Sequence, residues 1–194
     1  MTTEEILRLF RESHALLEGH FQLTSGLHSP NYFQCAKVLQ YPDKAERLCA
    51  EIASHVRGTT IDGVIAPALG GIVVGQEVAR QLKVRSMFAE RSNGAMQLRR
   101  GFAIAKGERI LVCEDVITTG GSVREVLGII DAAGGVVAGV ASIVDRSGGS
   151  VTLPEFFPIL RLEVVAYQPD ACPLCRRGIP VEKPGSRLSA IPAT

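Results

Sequence analysis

Tryptophan is absent from this chain, and the aromatic residues together make up only 5% of it. That scarcity argues against a stacking platform for single-stranded nucleic acid. Charge of one sign is missing as well: 21 Lys and Arg stand against 20 Asp and Glu, a net charge of +1. Nothing global therefore draws the protein to DNA, RNA or an anionic membrane, and any anion must be held by a local site. No run approaches the roughly 20 apolar residues of a membrane span. The opening Met1-Thr2-Thr3-Glu4-Glu5 is acidic where a secretory signal would be basic. Five cysteines, an odd number, stand at 35, 49, 113, 172 and 175. Such scatter is expected of reduced thiols in a cytoplasmic protein and not of a disulfide framework.

What is present is enough for one domain with a full core: 194 residues, 46% of them apolar. Thr2-x-x-Glu5 has capping-box spacing, with Ile6, Leu9, Phe10 and Leu17 forming an apolar face behind it. Residues 19–40 read as short strands and turns. Asp43-x-x-Glu46 opens a second helix carrying Ala45, Leu48, Cys49, Ile52 and Val56.

From residue 62 the rhythm becomes strand, helix, strand. Gly63 to Pro67, Val84 to Phe88, Arg109 to Cys113, Val136 to Val144 and Leu160 to Ala166 read as strands. The stretch after Gly70-Gly71 and the span Ser122 to Ala133 read as helices, and Arg91 to Gly101 as a polar loop. The pattern predicts an α/β protein with a doubly wound, mostly parallel sheet. A small N-terminal hood (about 1–40) precedes the core (about 41–166). A tail from about 167 to 194 with five prolines follows, expected to lie at the periphery.

One run concentrates chemistry: Ile110 to Ser122. It is an apolar strand ending in Glu114-Asp115, then Val116-Ile117, then Thr118-Thr119-Gly120-Gly121, then a helix start. In a parallel sheet, ligands bind at the carboxyl ends of strands. Free N–H groups at a helix start, hydroxyls from Thr118, Thr119 and Ser122, and glycines permitting close approach together suit a phosphate. Carboxylates beside a phosphate would repel it, so Glu114 and Asp115 need another task. Ribose hydroxyls, or a cationic ribose, fit. Ser122-x-x-Glu125 repeats the capping-box spacing.

This run resembles the PRPP (5-phosphoribosyl 1-diphosphate) signature of the type I phosphoribosyltransferases. Two further segments resemble the branch that uses orotate: Phe21 to Phe33, similar to that branch's hood, and Ser142 to Gly149, similar to the segment whose Arg reaches the base. The resemblance implies that residues 114–122 bind PRPP, with Glu114 and Asp115 also catalytic. It implies that Thr118 and Arg146 contact orotate, and that a mobile loop carries cations to the diphosphate. Related enzymes place lysines on that loop; here it offers Arg91, Arg99 and Arg100. Related enzymes also carry Lys where this chain has Thr24 and Gly70.

The implied partners are orotate and PRPP, with Mg²⁺ bound mainly through PRPP, and the implied assembly is a homodimer. A PRPP-binding regulator, or a transferase for another nucleobase, are the alternatives. Ala66 to Gly71 is a turn that could offer N–H groups to diphosphate or serve structure alone. Cys172-Pro173-Leu174-Cys175 is half a zinc site with no second pair following. His14, His20, His28 and His55 lie far upstream, so no metal ligand is assigned; structural or incidental use of the CxxC is expected, with metal or redox use the alternative.

Overall fold

The computed structural model describes residues 1–23, 25–163 and 165–184; Thr24, singled out above, and Pro192, the last of the tail's five prolines, lie outside the described residues. Helix α1 (Thr3–Glu12) starts from the anticipated capping box: Thr2 Oγ1 accepts from Glu5 N, and the Glu5 carboxylate accepts from Thr2 N. It ends before Leu17, because His14 turns the chain with φ 53. Leu17 belongs instead to strand β1 (Leu16–Gln22), which pairs antiparallel with β2 (His28–Phe33). These two strands are the hood. Between Glu18 and Phe21 the register slips, so Gly19 and His20 oppose Pro30 alone. Proline has no N–H to give a ladder, and a bulge is one place a strand tolerates it.

Residues 19–40 are not strands and turns throughout, since Ala36–Leu39 forms a short helix, α2. Helix α3 (Pro42–His55) buries Ala45, Leu48, Cys49 and Ile52 as the spacing predicts. Its start is not the expected Asp43 box: Tyr41 is the N-cap and Pro42 takes the first helical position, where a missing N–H costs nothing. Then follow β3 (Gly63–Pro67), α4 (Gly70–Leu82), β4 (Arg85–Ser92), β5 (Ala95–Leu98), β6 (Arg109–Ile117), α5 (Gly121–Ala132), β7 (Val136–Asp145) and β8 (Phe156–Arg161).

The sheet order is β5-β4-β3-β6-β7-β8, parallel except for β5. Along β6, Leu111 and Cys113 face one core with α1, α3 and α4. Ile110 and Val112 face the other, with α5. This period of two in an apolar run is the mark of a strand covered on both faces. Each fully buried Leu or Ile there contributes roughly 1.5–3 kcal/mol.

Several boundaries differ from expectation: β6 runs past Cys113 to Ile117 and β4 past Phe88 to Ser92. The last strand is Phe156–Arg161, earlier than Leu160 to Ala166, and it contains Pro158. It is the edge of the sheet, where a proline can face away from the ladder. Residues 91–101 are not an irregular loop. β4 and β5 form a hairpin about Asn93-Gly94, whose φ values of 52 and 82 suit a two-residue turn of the strands' own twist. Among the described residues no helix is long and apolar enough to cross a membrane.

The tail does not hang free. After a 3₁₀ turn (Pro169–Ala171) and a short helix α6 (Pro173–Arg176), it bridges the hood on both sides. Tyr167 exchanges backbone hydrogen bonds with His28, and Glu182 pairs alongside Phe21.

Candidate active site

The C-terminal end of β6 carries the two acidic residues. Glu114 is buried and Asp115 half-buried, and the glycines at the start of α4 crowd both. A Cβ at Gly70 would sit 2.6 Å from Asp115 Cγ and 2.7 Å from Oδ1; one at Gly71 would meet Glu114 Oε1 at 2.9 Å. The departure at Gly70 thus has a local cause, since the Asp115 carboxylate fills the space a side chain would take. Asp115 Oδ1 accepts from Val116 N at 2.9 Å, and Glu114 Oε1 accepts from Asp115 N at 3.2 Å.

Burial pushes the Glu114 carboxyl up to about 9, and the Asp115 carboxylate beside it adds to the rise. A protonated Glu114 donates a hydrogen bond where an ionised one could only accept. Linkage makes this measurable. Between pH 4.5 and about 9 the folded chain holds a proton that the unfolded chain has lost, so stability falls as pH rises through that window. Glu114→Gln removes the titration. Its Tm should therefore gain on the parent's steadily from pH 5 to pH 9, by calorimetry without substrates. Parallel Tm profiles would show that Glu114 titrates normally.

Beyond Ile117 the chain forms a shallow cavity of about 70 Å³ lined by Val116 to Val123 and by Glu114. Gly120, with φ 72, lets the loop turn into α5. Among the described residues, no acceptor engages the backbone N–H groups of Thr118 to Ser122, and the hydroxyls of Thr118, Thr119 and Ser122 make no hydrogen bond. Donors left unpaired at a helix start, aided by its dipole, are what an anion needs. The Ser122–Glu125 capping box is not formed. Glu125 instead binds Arg91 at 2.6 Å and accepts from Met96 N at 3.1 Å, tying the β4–β5 hairpin to α5.

Arg146 lies next door, its N–H donating to Ile117 O at 2.8 Å. Its half-buried guanidinium lines a separate cavity of about 230 Å³ with Ser29, Asn31 and Phe33 of the hood and Arg11 of α1. Burial pushes the Arg146 pKa down, partly opposed by the nearby Tyr32. Arg11 is paired with Glu4, whereas Arg146 has no ion-pair partner among the described residues.

The fold and site correspond to known proteins. The family description "Phosphoribosyl transferase domain" matches residues 37–153. Proteins named orotate phosphoribosyltransferase from Chlorobaculum parvum and Pelotomaculum thermopropionicum are 59% and 57% identical, covering 98% and 96% of this chain and 99% of each relative. The chain belongs to the orotate phosphoribosyltransferase family. Solved structures agree on the fold. The orotate phosphoribosyltransferase of Mycobacterium tuberculosis with inorganic phosphate aligns at TM-score 0.67 and 21% identity, over 81% of this chain and 94% of that one. An adenine phosphoribosyltransferase from Thermoanaerobacter pseudethanolicus aligns at 0.68 and 15%, over 83% and 100%.

Within this family frame the loop arginines are not gathered around the phosphate cavity. Arg91 is held by Glu125. Arg100 pairs with Glu90 at 3.0 Å and lies over the Phe88 ring, and Arg99 is 3.6 Å from the same carboxylate. Glu90 Oε1 is buried without a hydrogen bond, so Arg99 holds it only loosely.

Proposed function

We propose that this chain transfers ribose 5-phosphate from PRPP to N1 of orotate, giving orotidine 5′-phosphate and diphosphate for de novo synthesis of UMP. The observation that carries the base assignment is Arg146. A half-buried guanidinium without an ion-pair partner among the described residues, opening on the hood cavity beside the phosphate loop, matches a small anionic base. The N–H groups and hydroxyls of Thr118 to Ser122 hold the 5-phosphate, with Val116 and Ile117 setting the loop against the ribose. Asp115 and Glu114 take the ribose hydroxyls, Glu114 as a protonated donor, and Asp115 faces the positive charge that develops as the C1–O bond breaks. Thr118 stands between phosphate and base.

Mg²⁺, when bound, neutralises diphosphate charge. Asp115 at the end of β6 is a hard oxygen donor that would fit such a cation through substrate and water. The decisive assay mixes protein, PRPP and Mg²⁺ with orotate, uracil, adenine or hypoxanthine and follows diphosphate release. Release with orotate alone is expected. Release with another base, or PRPP binding without turnover, would replace this reading by a different transferase or a regulator.

Departing diphosphate needs a cation besides the metal, and Arg99 and Arg100 are the candidates. Arg91 is already engaged in a two-pronged ion pair. Arg99 would exchange Glu90 for the diphosphate. Arg99→Ala should lower kcat about 10-fold, the ~1.4 kcal/mol of one charge-assisted contact made mainly in the transition state. We place this loop in the neighbouring subunit's site, in a cytoplasmic homodimer. Mixing Arg99→Ala with Asp115→Asn chains should then restore activity in the one intact site of each heterodimer. Exchanged dimers without recovery would put the loop in its own chain's site.

A further inference from the structure

Four side chains that phosphoribosyl transfer does not use meet where the tail crosses the hood. We propose that His20, His28, Cys172 and Cys175 form a closed, four-ligand site for zinc, or a similar borderline-soft divalent cation, that staples the tail to the hood.

The ligand atoms all lie within 4.8 Å of one another. His20 Nε2 is 3.6 Å from Cys172 Sγ and 3.7 Å from Cys175 Sγ, and His28 Nδ1 is 3.3 Å from Cys175 Sγ. A tetrahedron with metal–N near 2.0 Å and metal–S near 2.3 Å places N and S about 3.5 Å apart. The two imidazole nitrogens, 2.9 Å apart, are closer than the roughly 3.3 Å of that tetrahedron, and a small ring rotation opens the difference.

Tautomers agree with ligation. His20 Nδ1 lies 2.7 Å from the Ile179 carbonyl, which can only accept. The proton therefore sits on Nδ1, and Nε2 turns a lone pair toward the thiols. A carbonyl orienting a metal-bound imidazole through its second nitrogen is the usual outer contact of such sites. Two thiolates and two neutral imidazoles around a dication leave no net charge, which suits burial: Cys172 is 0%, His20 3% and His28 7% exposed.

The local fold is arranged around this point. The β1 bulge places His20 out of step with its strand and beside His28. Backbone pairs from Tyr167 and Glu182 fasten the tail on either side of the cluster. The CxxC spans the first turn of α6, putting both sulfurs on one side. The tail needs such an anchor. From Val165 to Pro184, Cys172 is the sole fully buried residue among those described, with Tyr167, Leu174 and Ile179 only partly covered, so apolar packing alone pins this segment weakly. A metal supplies that anchoring where a core is too small. With four protein ligands no coordination position is open for chemistry, which makes the site structural.

The test uses the full chain, purified reduced and without a histidine tag, then desalted after incubation with Zn²⁺. Elemental analysis should find about one zinc per chain, and Cys172→Ser/Cys175→Ser should retain less than about a tenth of that. Parent protein without stoichiometric zinc, equal zinc in parent and variant, or a Cys172–Cys175 disulfide by mass would each overturn the site. Should the variant fold poorly, Co²⁺ substituted into the parent decides. Intense tetrahedral d–d bands with a thiolate charge-transfer band are expected, and a weak octahedral spectrum overturns the proposal. Removing the metal should lower Tm by about 5 °C or more. An unchanged Tm would overturn the stapling role.

Discussion

Asp115→Asn is expected to lower kcat by about 100-fold or more while changing the Kd of PRPP no more than about threefold. The substitution isolates charge. Asparagine has the size of aspartate, fits beneath Gly70, and its Oδ1 can keep accepting the Val116 N–H now held at 2.9 Å. On the proposed reading, what disappears is the negative charge facing C1 of the ribose. Ground-state PRPP is neutral at that carbon, so on the same reading its binding depends on the N–H groups and hydroxyls of Thr118 to Ser122. In the transition state the ribose is cationic, and a preorganised opposite charge in a dry site contributes about 2.7–4 kcal/mol, or 10²–10³ in rate. Pre-steady-state turnover with saturating substrates, together with PRPP binding by calorimetry, separates the two effects. A kcat within a few-fold of the parent would remove Asp115 from charge stabilisation. A parallel loss of PRPP affinity would make it a ground-state contact to the ribose hydroxyls.

The second large effect belongs to the base. Arg146→Ala should weaken orotate binding by about 10- to 150-fold, the 1.5–3 kcal/mol of a charge-assisted hydrogen bond. PRPP affinity should move little. The residue's surroundings make the split sharp. Arg146 lines the hood cavity and is not among the residues around the phosphate cavity, yet its backbone is fastened to Ile117, the residue before the phosphate loop. Removing the side chain therefore empties one subsite without cutting the anchor of the other. Uracil, which lacks the carboxylate, should lose little on the same change. If PRPP and orotate suffer equally, Arg146 belongs to the phosphate side.

Much of this could be read from residue order, because local signals and the tertiary fold agreed there. Thr2-x-x-Glu5 forms its capping box since both partners lie within one turn. The Ile110 to Ser122 run becomes a strand that carries the carboxylate pair, then a glycine turn and a helix, because an apolar run followed by Gly120-Gly121 is a local signal that the packing leaves unchanged. Where partners were distant, local reading went astray. Ser122-x-x-Glu125 has the same spacing as the N-terminal box, yet Glu125 is drawn off by Arg91, 34 positions away, and by the Met96 N–H. The charges of the stretch after Arg91 predict a loop. Asn93-Gly94 and the buried Met96 make it a hairpin instead. Pro158 hid a strand, because the prohibition on proline lapses at a sheet edge that only the strand order reveals.

By itself the sequence determined the alternation of strand and helix, the placement of Glu114, Asp115 and the phosphate loop at a strand end, and the family. The first two rest on periodicity and on contacts within a few residues, and the family on the resemblance of three segments to known members. Only the tertiary structure decided that Gly70 leaves its space to Asp115, that burial raises the Glu114 carboxyl, and that Glu90 pairs with Arg99 and Arg100. It also decided that His20 and His28 stand with Cys172 and Cys175. Spacing along the chain pointed away from that last grouping, since more than 140 residues separate the two pairs. Side chains so far apart can meet only after the hood and tail have closed on each other, and the surrounding charges and desolvation that set a pKa exist only once that packing is complete.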